Sequence, residues 1–328
     1  RVDMGELAMQ FSRCEIENGV IDITDLGIES VQDINALIGL GEFNELVNRT
    51  EALQRDERRS LARKIIESGS RVVLVTGPTS SGKTTFANRL AVEITDLQRP
   101  SFSISTDDFF IDRDDMPVDK SGKRDTESIN AVDIELFQST LKALLAGEIV
   151  KLPTFNFITG KKEFNVPEIS MEKDSIVIIE GIHALSPLLT SSIRDDIKHR
   201  IYVSPLIRLK FSDGDVFAHD FRLIRRMIRD KLHRGYSPQK TIKYWDVIRK
   251  AEQDILYKYA DTADDVINTG LIYELSVLKS IASEFKYDSF NDEEDETLAA
   301  KVKKILSEIL TTPKETVPSD SILNEFLS

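Results

Sequence analysis

Gly77-Pro78-Thr79-Ser80-Ser81-Gly82-Lys83-Thr84 spells G-x-x-x-x-G-K-[ST], and those residue types suit one chemical role, wrapping phosphate oxygens in backbone N–H groups. The glycines let the chain curl, and the helix that follows at Thr85 adds partial positive charge. Lys83 is placed to reach the terminal phosphates of a nucleotide, and Thr84 offers a hydroxyl to Mg2+. Phosphoryl transfer needs little more than this cradle, a metal, a group that prepares the acceptor, and cations for the migrating charge. Asp107, in Thr106-Asp107-Asp108-Phe109-Phe110, is the chosen base and a second candidate for the metal. Glu180, before Gly181, is the chosen Mg2+ carboxylate. A turn aspartate and a strand-capping glutamate are their plainer alternatives. Arg222, Arg225, Arg226 and Arg229 stand at i, i+3, i+4 and i+7, so one helical face carries four guanidiniums. Such a face binds phosphate oxygens in fork geometry and, on a mobile lid, would stabilise the transferring group. An ion-pair network with the chain's many acids is its other use.

The elements that position these groups are short apolar runs alternating with helical ones. Strands are expected at 71–76, 101–105, 175–180, 200–203 and 265–268, the first leading into the glycine loop. Asp107 and Glu180 then fall at the carboxyl ends of strands, where open parallel sheets place their ligands. The expected fold is α/β: a parallel sheet of P-loop NTPase type with helices on both faces. A helical lid, an N-terminal helical arm and a C-terminal helical tail complete it. Three regions are expected: 1–69 as the arm or a remnant domain, 70–286 as the phosphate-loop domain, and 287–328 as an acidic linker and tail. Within the arm, Val31 to Val47 reads as short helices broken near Gly39 and Gly41, and Thr50 to Gly69 as one amphipathic helix with Leu53, Leu61, Ile65 and Ile66 inward. Asp292 to Glu296 reads as a solvated linker before a helix over Leu298 to Leu310.

The polar span Asp112 to Asn130 is long for a connection, and Glu127 and Asp125 within it are candidates for acceptor hydroxyls. Leu152 to Phe157 interleaves aromatics with polar residues; Phe155 and Phe157 suit either an acceptor wall or the core. The four histidines show no metal-ligand spacing with Cys14. With 328 residues, 41% of them hydrophobic, the chain can bury a large core. Its formal charge of -13 argues against non-specific nucleic-acid binding. No run reaches the ~18 apolar residues of a membrane span, and no secretory leader pattern is recognised. One cysteine rules out an internal disulfide and suits a reducing cytoplasm. Arg1 rather than Met opens the sequence, in keeping with a piece of a longer protein.

The ordered combination of these motifs resembles the uridine kinase and phosphoribulokinase family of P-loop kinases, and within it the long nucleoside-kinase-like subgroup. The residues that carry the likeness are Gly77–Thr85, Ser105–Phe110, Asp125–Asp133, Leu152–Lys162, Ile179-Glu180-Gly181-Ile182-His183, Arg222–Asp230 and Arg234–Ser237. Val31–Leu61 and the closing Val317–Phe326 also resemble that subgroup. The likeness implies ATP and Mg2+ as cofactors, with Asp107 taking the proton from a ribose 5'-hydroxyl. It implies that Thr84 and Glu180 serve Mg2+, Glu127 holds ribose hydroxyls, Arg222 faces the acceptor, and Arg225, Arg226 and Arg229 cover the ATP phosphates. Where uridine-cytidine kinases set a tyrosine and a histidine against the pyrimidine, this chain has Phe155 and Gly160. The partner implied is a nucleoside or related alcohol, and a homo-oligomer is compatible with the family. Two other readings stand beside this one: a kinase of another small alcohol, and a nucleotide-binding regulator without efficient transfer.

Overall fold

The computed structural model describes residues 26–118, 124, 128–286, 290 and 292–327. Cys14, Asp125 and Glu127 lie outside the described residues. The chain opens with α1 (Val31–Leu40) and α2 (Phe43–Glu67), then β1 (Val72–Thr76), α3 (Lys83–Asp96), β2 (Ser101–Ser105) and α4 (Ile134–Ala146). Four short strands follow, β3 (Val150–Lys151), β4 (Thr154–Asn156), β5 (Lys161–Glu163) and β6 (Glu168–Ile169). Next come β7 (Ile176–Glu180), α5 (Pro187–Thr190), β8 (Lys198–Ser204), β9 (Arg208–Phe211) and β10 (Gly214–Phe217). The last elements are α6 (Ala218–His233), α7 (Pro238–Ala260), β11 (Asp265–Asn268), α8 (Glu274–Ala282), α9 (Glu293–Glu308) and a closing 3-10 turn over Ile322–Phe326.

Every residue of β1 and of β7 is buried, which Val-Val-Leu-Val and Ile-Val-Ile-Ile permit only if both faces of the sheet are covered. The five-stranded sheet has the order β11-β8-β1-β7-β2, and all four pairings are parallel. One face packs Val72, Leu74, Val177 and Ile179 against Phe109 and, on α4, Phe137, Leu141 and Leu144. The other packs Val73, Val75, Ile178 and Ile201 against α3 and the end of α2. The alternation is the strand's own period of two. All five expected strands are present, each within two residues of its expected ends.

A third apolar cluster joins elements remote in sequence. Val31, Ile34, Phe43 and Leu46 from the first two helices pack with Phe221, Ile224 and Ile228 of α6, with α8 and α9, and with Ile322, Leu323 and Phe326. One core therefore crosses the expected boundaries at 69 and 287. Three local expectations are corrected. The helix expected from Thr50 begins at Phe43, because only Gly41, at φ 77°, breaks the chain there. Leu53, expected inward, is exposed, since it lies off the stripe formed by Thr50, Arg58, Leu61 and Ile65. The acidic run is no linker: Asp292 caps α9 by accepting from the Glu294 N–H, and the acids fill its first turn. There they complement the helix dipole.

If the arm is part of this core, Ile34→Ala should lower the stability of the whole chain by roughly 2–5 kcal/mol, read as one cooperative shift in urea unfolding. An early transition of small amplitude, with the main one unmoved, would make the arm an independent unit.

Candidate active site

The sheet register builds the site before any loop does. Val75 pairs with Glu180, and Glu180 pairs with Ser105, so the carboxyl ends of β1, β7 and β2 stand abreast. Two glycines allow the turns above that edge to pack closely. A Cβ on Gly77 would come 2.0 Å from the Val203 carbonyl oxygen. Gly181 has φ 151°, and a Cβ there would come 1.9 Å from Thr106 Oγ1. The Glu-Gly pair thus lets β7 end flush against the turn that carries Asp107.

The loop from Gly77 to Gly82 leads into α3, whose first residue is Lys83. Ser80 and Gly82 both take positive φ, 56° and 84°, giving the loop its curl, and Ser81 N–H donates to the Pro78 carbonyl. Lys83 Nζ lies 2.9 Å from the same Pro78 oxygen. Burial lowers the Lys83 pKa, against the opposing pull of the Glu180, Glu252 and Asp107 carboxylates. Thr84 Oγ1 lies 3.1 Å from Glu180 Oε1. Burial pushes Glu180 up to about 7, with the negative charge of Asp107 as the second cause. Asp107 sits in a 3-10 turn capped by Ser105 Oγ, its carboxylate close enough to act on both Lys83 and Glu180. The structure thus brings Lys83, Thr84, Asp107 and Glu180 to one place. The hydroxyls of Ser80 and Ser81 are buried there and find no hydrogen-bond partner among the described residues.

The arginine face is sequestered rather than free. Arg222 Nε donates to the Thr79 carbonyl at 2.9 Å while another of its N–H groups bonds Glu252. Glu252 also accepts the Thr79 N–H. Arg226 and Arg229 donate to Thr79 Oγ1, and Arg226 pairs with Asp230 at 2.9 Å. Thr79 is therefore gripped at its N–H, its carbonyl and its hydroxyl. Arg225 is wholly buried, paired with Glu274 and bonded to the Thr269 carbonyl, with the Phe326 ring 5.2 Å from its guanidinium carbon. That placement corrects two expectations. The helix is no exposed lid, because its opposite face (Leu223, Ile224, Met227, Ile228) is buried too. Arg225 has no surface left to meet a phosphate and instead supports the loop through the Ser80 carbonyl. Arg222 touches the phosphate loop. The partners Glu252, Glu274 and Glu325 were absent from the sequence reading, since separations of 30 to 96 residues leave no local pattern. Only the resemblance of the closing segment hinted at Glu325.

On the far side of Asp107, Phe155 is buried edge-on against Phe110 and Phe157, and its N–H donates to Asp108 at 3.4 Å. Gly160 turns at φ 70°, and a Cβ there would meet the Arg113 side chain at 2.8 Å. No side chain at 160 fits beside Arg113 without its moving.

Among the described residues no three acids, histidines or cysteines gather to hold a metal. Thr84, an exposed residue, sets its hydroxyl beside the buried Glu180 carboxylate, so the donors are oxygens only. That set fits Mg2+, which takes one or two protein oxygens and completes its shell with waters and substrate phosphates.

A glycine loop between a central parallel strand and a helix, with acids ending the two strands beyond, defines a P-loop protein of phosphotransferase type. The profile of the Phosphoribulokinase / Uridine kinase family matches residues 72–271, more than half of the chain, and the chain belongs to that family. It is thereby a kinase of the class that transfers a phosphoryl group from ATP to a small alcohol. Similar curated proteins include the uridine kinase of Lactobacillus helveticus, 27% identical over 61% of this chain and 86% of that one. That of Clostridium tetani is 29% identical over 60% and 85%. A solved structure described as a possible uridine kinase from Bacillus stearothermophilus aligns at TM-score 0.42 and 18% identity, covering 65% of this chain and 98% of that one. Among the described residues no helix is long and apolar enough to cross a membrane.

Glu180 yields a pH prediction. With its pKa raised from 4.5 to about 7 in the folded chain, it holds its proton more tightly folded than unfolded. Its contribution to stability is therefore present below pH 4.5 and is lost as pH rises through about 7. Melting temperatures of wild type and Glu180→Gln without metal should nearly coincide at about pH 4 and diverge by about pH 8, with the variant the more stable. Parallel curves would place Glu180 in a solvated environment.

Proposed function

We propose that this chain transfers the terminal phosphoryl group of Mg2+-bound ATP to the 5'-hydroxyl of a nucleoside. The observation that carries the reading is the convergence of Asp107 and Glu180 on Lys83 at one edge of the sheet. Gly77 to Thr85 would cradle the nucleotide phosphates, with Lys83 against the terminal ones. Asp107 would accept the proton of the attacking hydroxyl. The hydroxyl oxygen bonds to the γ-phosphorus as the bridge oxygen leaves with ADP. Thr84 and Glu180 would hold Mg2+, which when bound neutralises charge on the phosphate oxygens. Arg226 and Arg229, both touching Thr79, are the cations best placed to follow the γ-phosphoryl group. Glu127 remains the proposed contact to ribose hydroxyls. The curated relatives named uridine kinase support the nucleoside as acceptor.

One observation favours a second acceptor class. Phe155 presents an apolar ring edge, and Gly160 has no side chain of its own to read a pyrimidine, with Arg113 packed where one would stand. A different small alcohol then fills the same place, with the chemistry unchanged.

The test is ADP release with uridine, cytidine, purine nucleosides and simple sugar alcohols, for wild type and Asp107→Asn. The reading expects one nucleoside to stand out. It also expects Asp107→Asn to cut turnover by about 10²–10⁴-fold, the usual worth of a positioned base, with ATP affinity within about threefold. Unchanged turnover in the variant removes Asp107 as the base; nucleotide binding without release for any alcohol leaves the regulator.

A further inference from the structure

The closing 3-10 turn packs against the start of α3 and against α6. Ile322, Leu323 and Phe326 are buried in the core that α6 shares. Ile322 Cδ1 lies 3.7 Å from where a Cβ on Gly82 would stand. Phe326 lies beneath the Arg225 guanidinium. Arg89 on α3 donates to the Ser319 carbonyl at 3.0 Å, and Arg55 on α2 pairs with Asp320 at 3.0 Å. From this anchored turn Glu325 reaches back toward the phosphate loop. Its Oε2 accepts from Thr85 Oγ1 at 3.0 Å and its Oε1 from Arg229 Nη1 at 3.3 Å.

We infer that Glu325 is a positioning residue of the nucleotide site: it ties Thr85 at the start of α3 to Arg229 on α6 and fixes where that guanidinium points. The inference rests on the ATP reading of the phosphate loop given above. Arg229 Nη2 reaches Thr79 Oγ1 at 3.1 Å, so the guanidinium spans two residues of the glycine run's neighbourhood, one through Glu325 and one directly. Three arginines crowd here. Burial, and then the like charges of Arg234 and Arg226, lower the Arg229 pKa to about 10. Glu325 and Asp230 are the acids that offset this, and Asp230 is already shared by Arg226, Arg234 and Thr241. Among the described residues, Glu325 alone pairs Arg229 with the helix that follows the phosphate loop. The depth at which Leu323 and Phe326 are buried makes the turn a fixed support; a plug that leaves on nucleotide binding would have to expose them.

The experiment is a double-mutant cycle on ATP affinity, measured by calorimetry with Mg2+ on the full chain, for wild type, Glu325→Ala, Arg229→Ala and the pair. Glu325→Ala is expected to weaken ATP binding about tenfold, the loss of one charge-assisted contact. In the Arg229→Ala background the same change should cost less than twofold, because Glu325 acts through Arg229. Glu325→Gln keeps the side-chain shape and a carbonyl for Thr85 but loses the charge; it should weaken binding about threefold and serves in the cycle should the alanine variant misfold. An equal cost in both backgrounds would make the turn merely structural and overturn the inference. So would tighter ATP binding by Glu325→Ala, which would mark the carboxylate as a competitor of the phosphates. A wild-type chain that binds no ATP overturns the ATP reading and this inference together; wild-type binding with an indifferent Glu325 overturns this inference alone.

Discussion

Glu180 lies between Val75 and Ser105 in the parallel register, and that alignment fixes the site. A one-residue slip of β7 would turn the carboxylate to the opposite face and part it from Thr84. The slip is resisted because Val177 and Ile179 pack on one helical layer and Ile176 and Ile178 on the other. The hydrophobic pattern of three strands thus sets the distance between an acid, a hydroxyl and a lysine. Burial at the same edge, the source of the raised Glu180 pKa, makes it a place that welcomes a cation.

Above that edge the chain faces the opposite problem, four guanidiniums on one buried helix. Each has an acid: Asp230 one turn along the same helix, and Glu252, Glu274 and Glu325 from other elements. Buried pairs of this kind add little net stability, because desolvation consumes most of the attraction, yet removing one partner is costly. Their effect here is positional. Three of the pairs hold groups that also grip Thr79, and the fourth bonds the Ser80 carbonyl. The phosphate loop is thereby coupled to α6, α7 and the closing turn, and through the shared core to the first two helices.

Local features were legible in the sequence; long-range pairings were not. The glycine loop announced itself because its spacing is a backbone requirement, and the five strands because continuous β-branched runs have few other uses. Asp107 and Glu180 could be selected since strand ends concentrate ligands. The arginine spacing correctly put the four residues on one face, but its meaning depended on acids 4 to 96 residues away. Arg225 was misread for that reason: a buried support and an exposed phosphate clamp have the same spacing. The acidic run at Asp292 misled in a different way, since charge density alone cannot separate a linker from a capped helix start. Phe155 sits at a core position the sequence had left open.

Transfer at this edge depends most on where a bound triphosphate lies, and a structure with a non-hydrolysable ATP analogue and Mg2+ tests that directly. The expected result places the γ-phosphate between Lys83 Nζ and the Asp107 carboxylate, with the metal contacted by Thr84 and by Glu180, directly or through water. A triphosphate bound away from Lys83, or an Asp107 carboxylate facing away from the γ-phosphate, would contradict it.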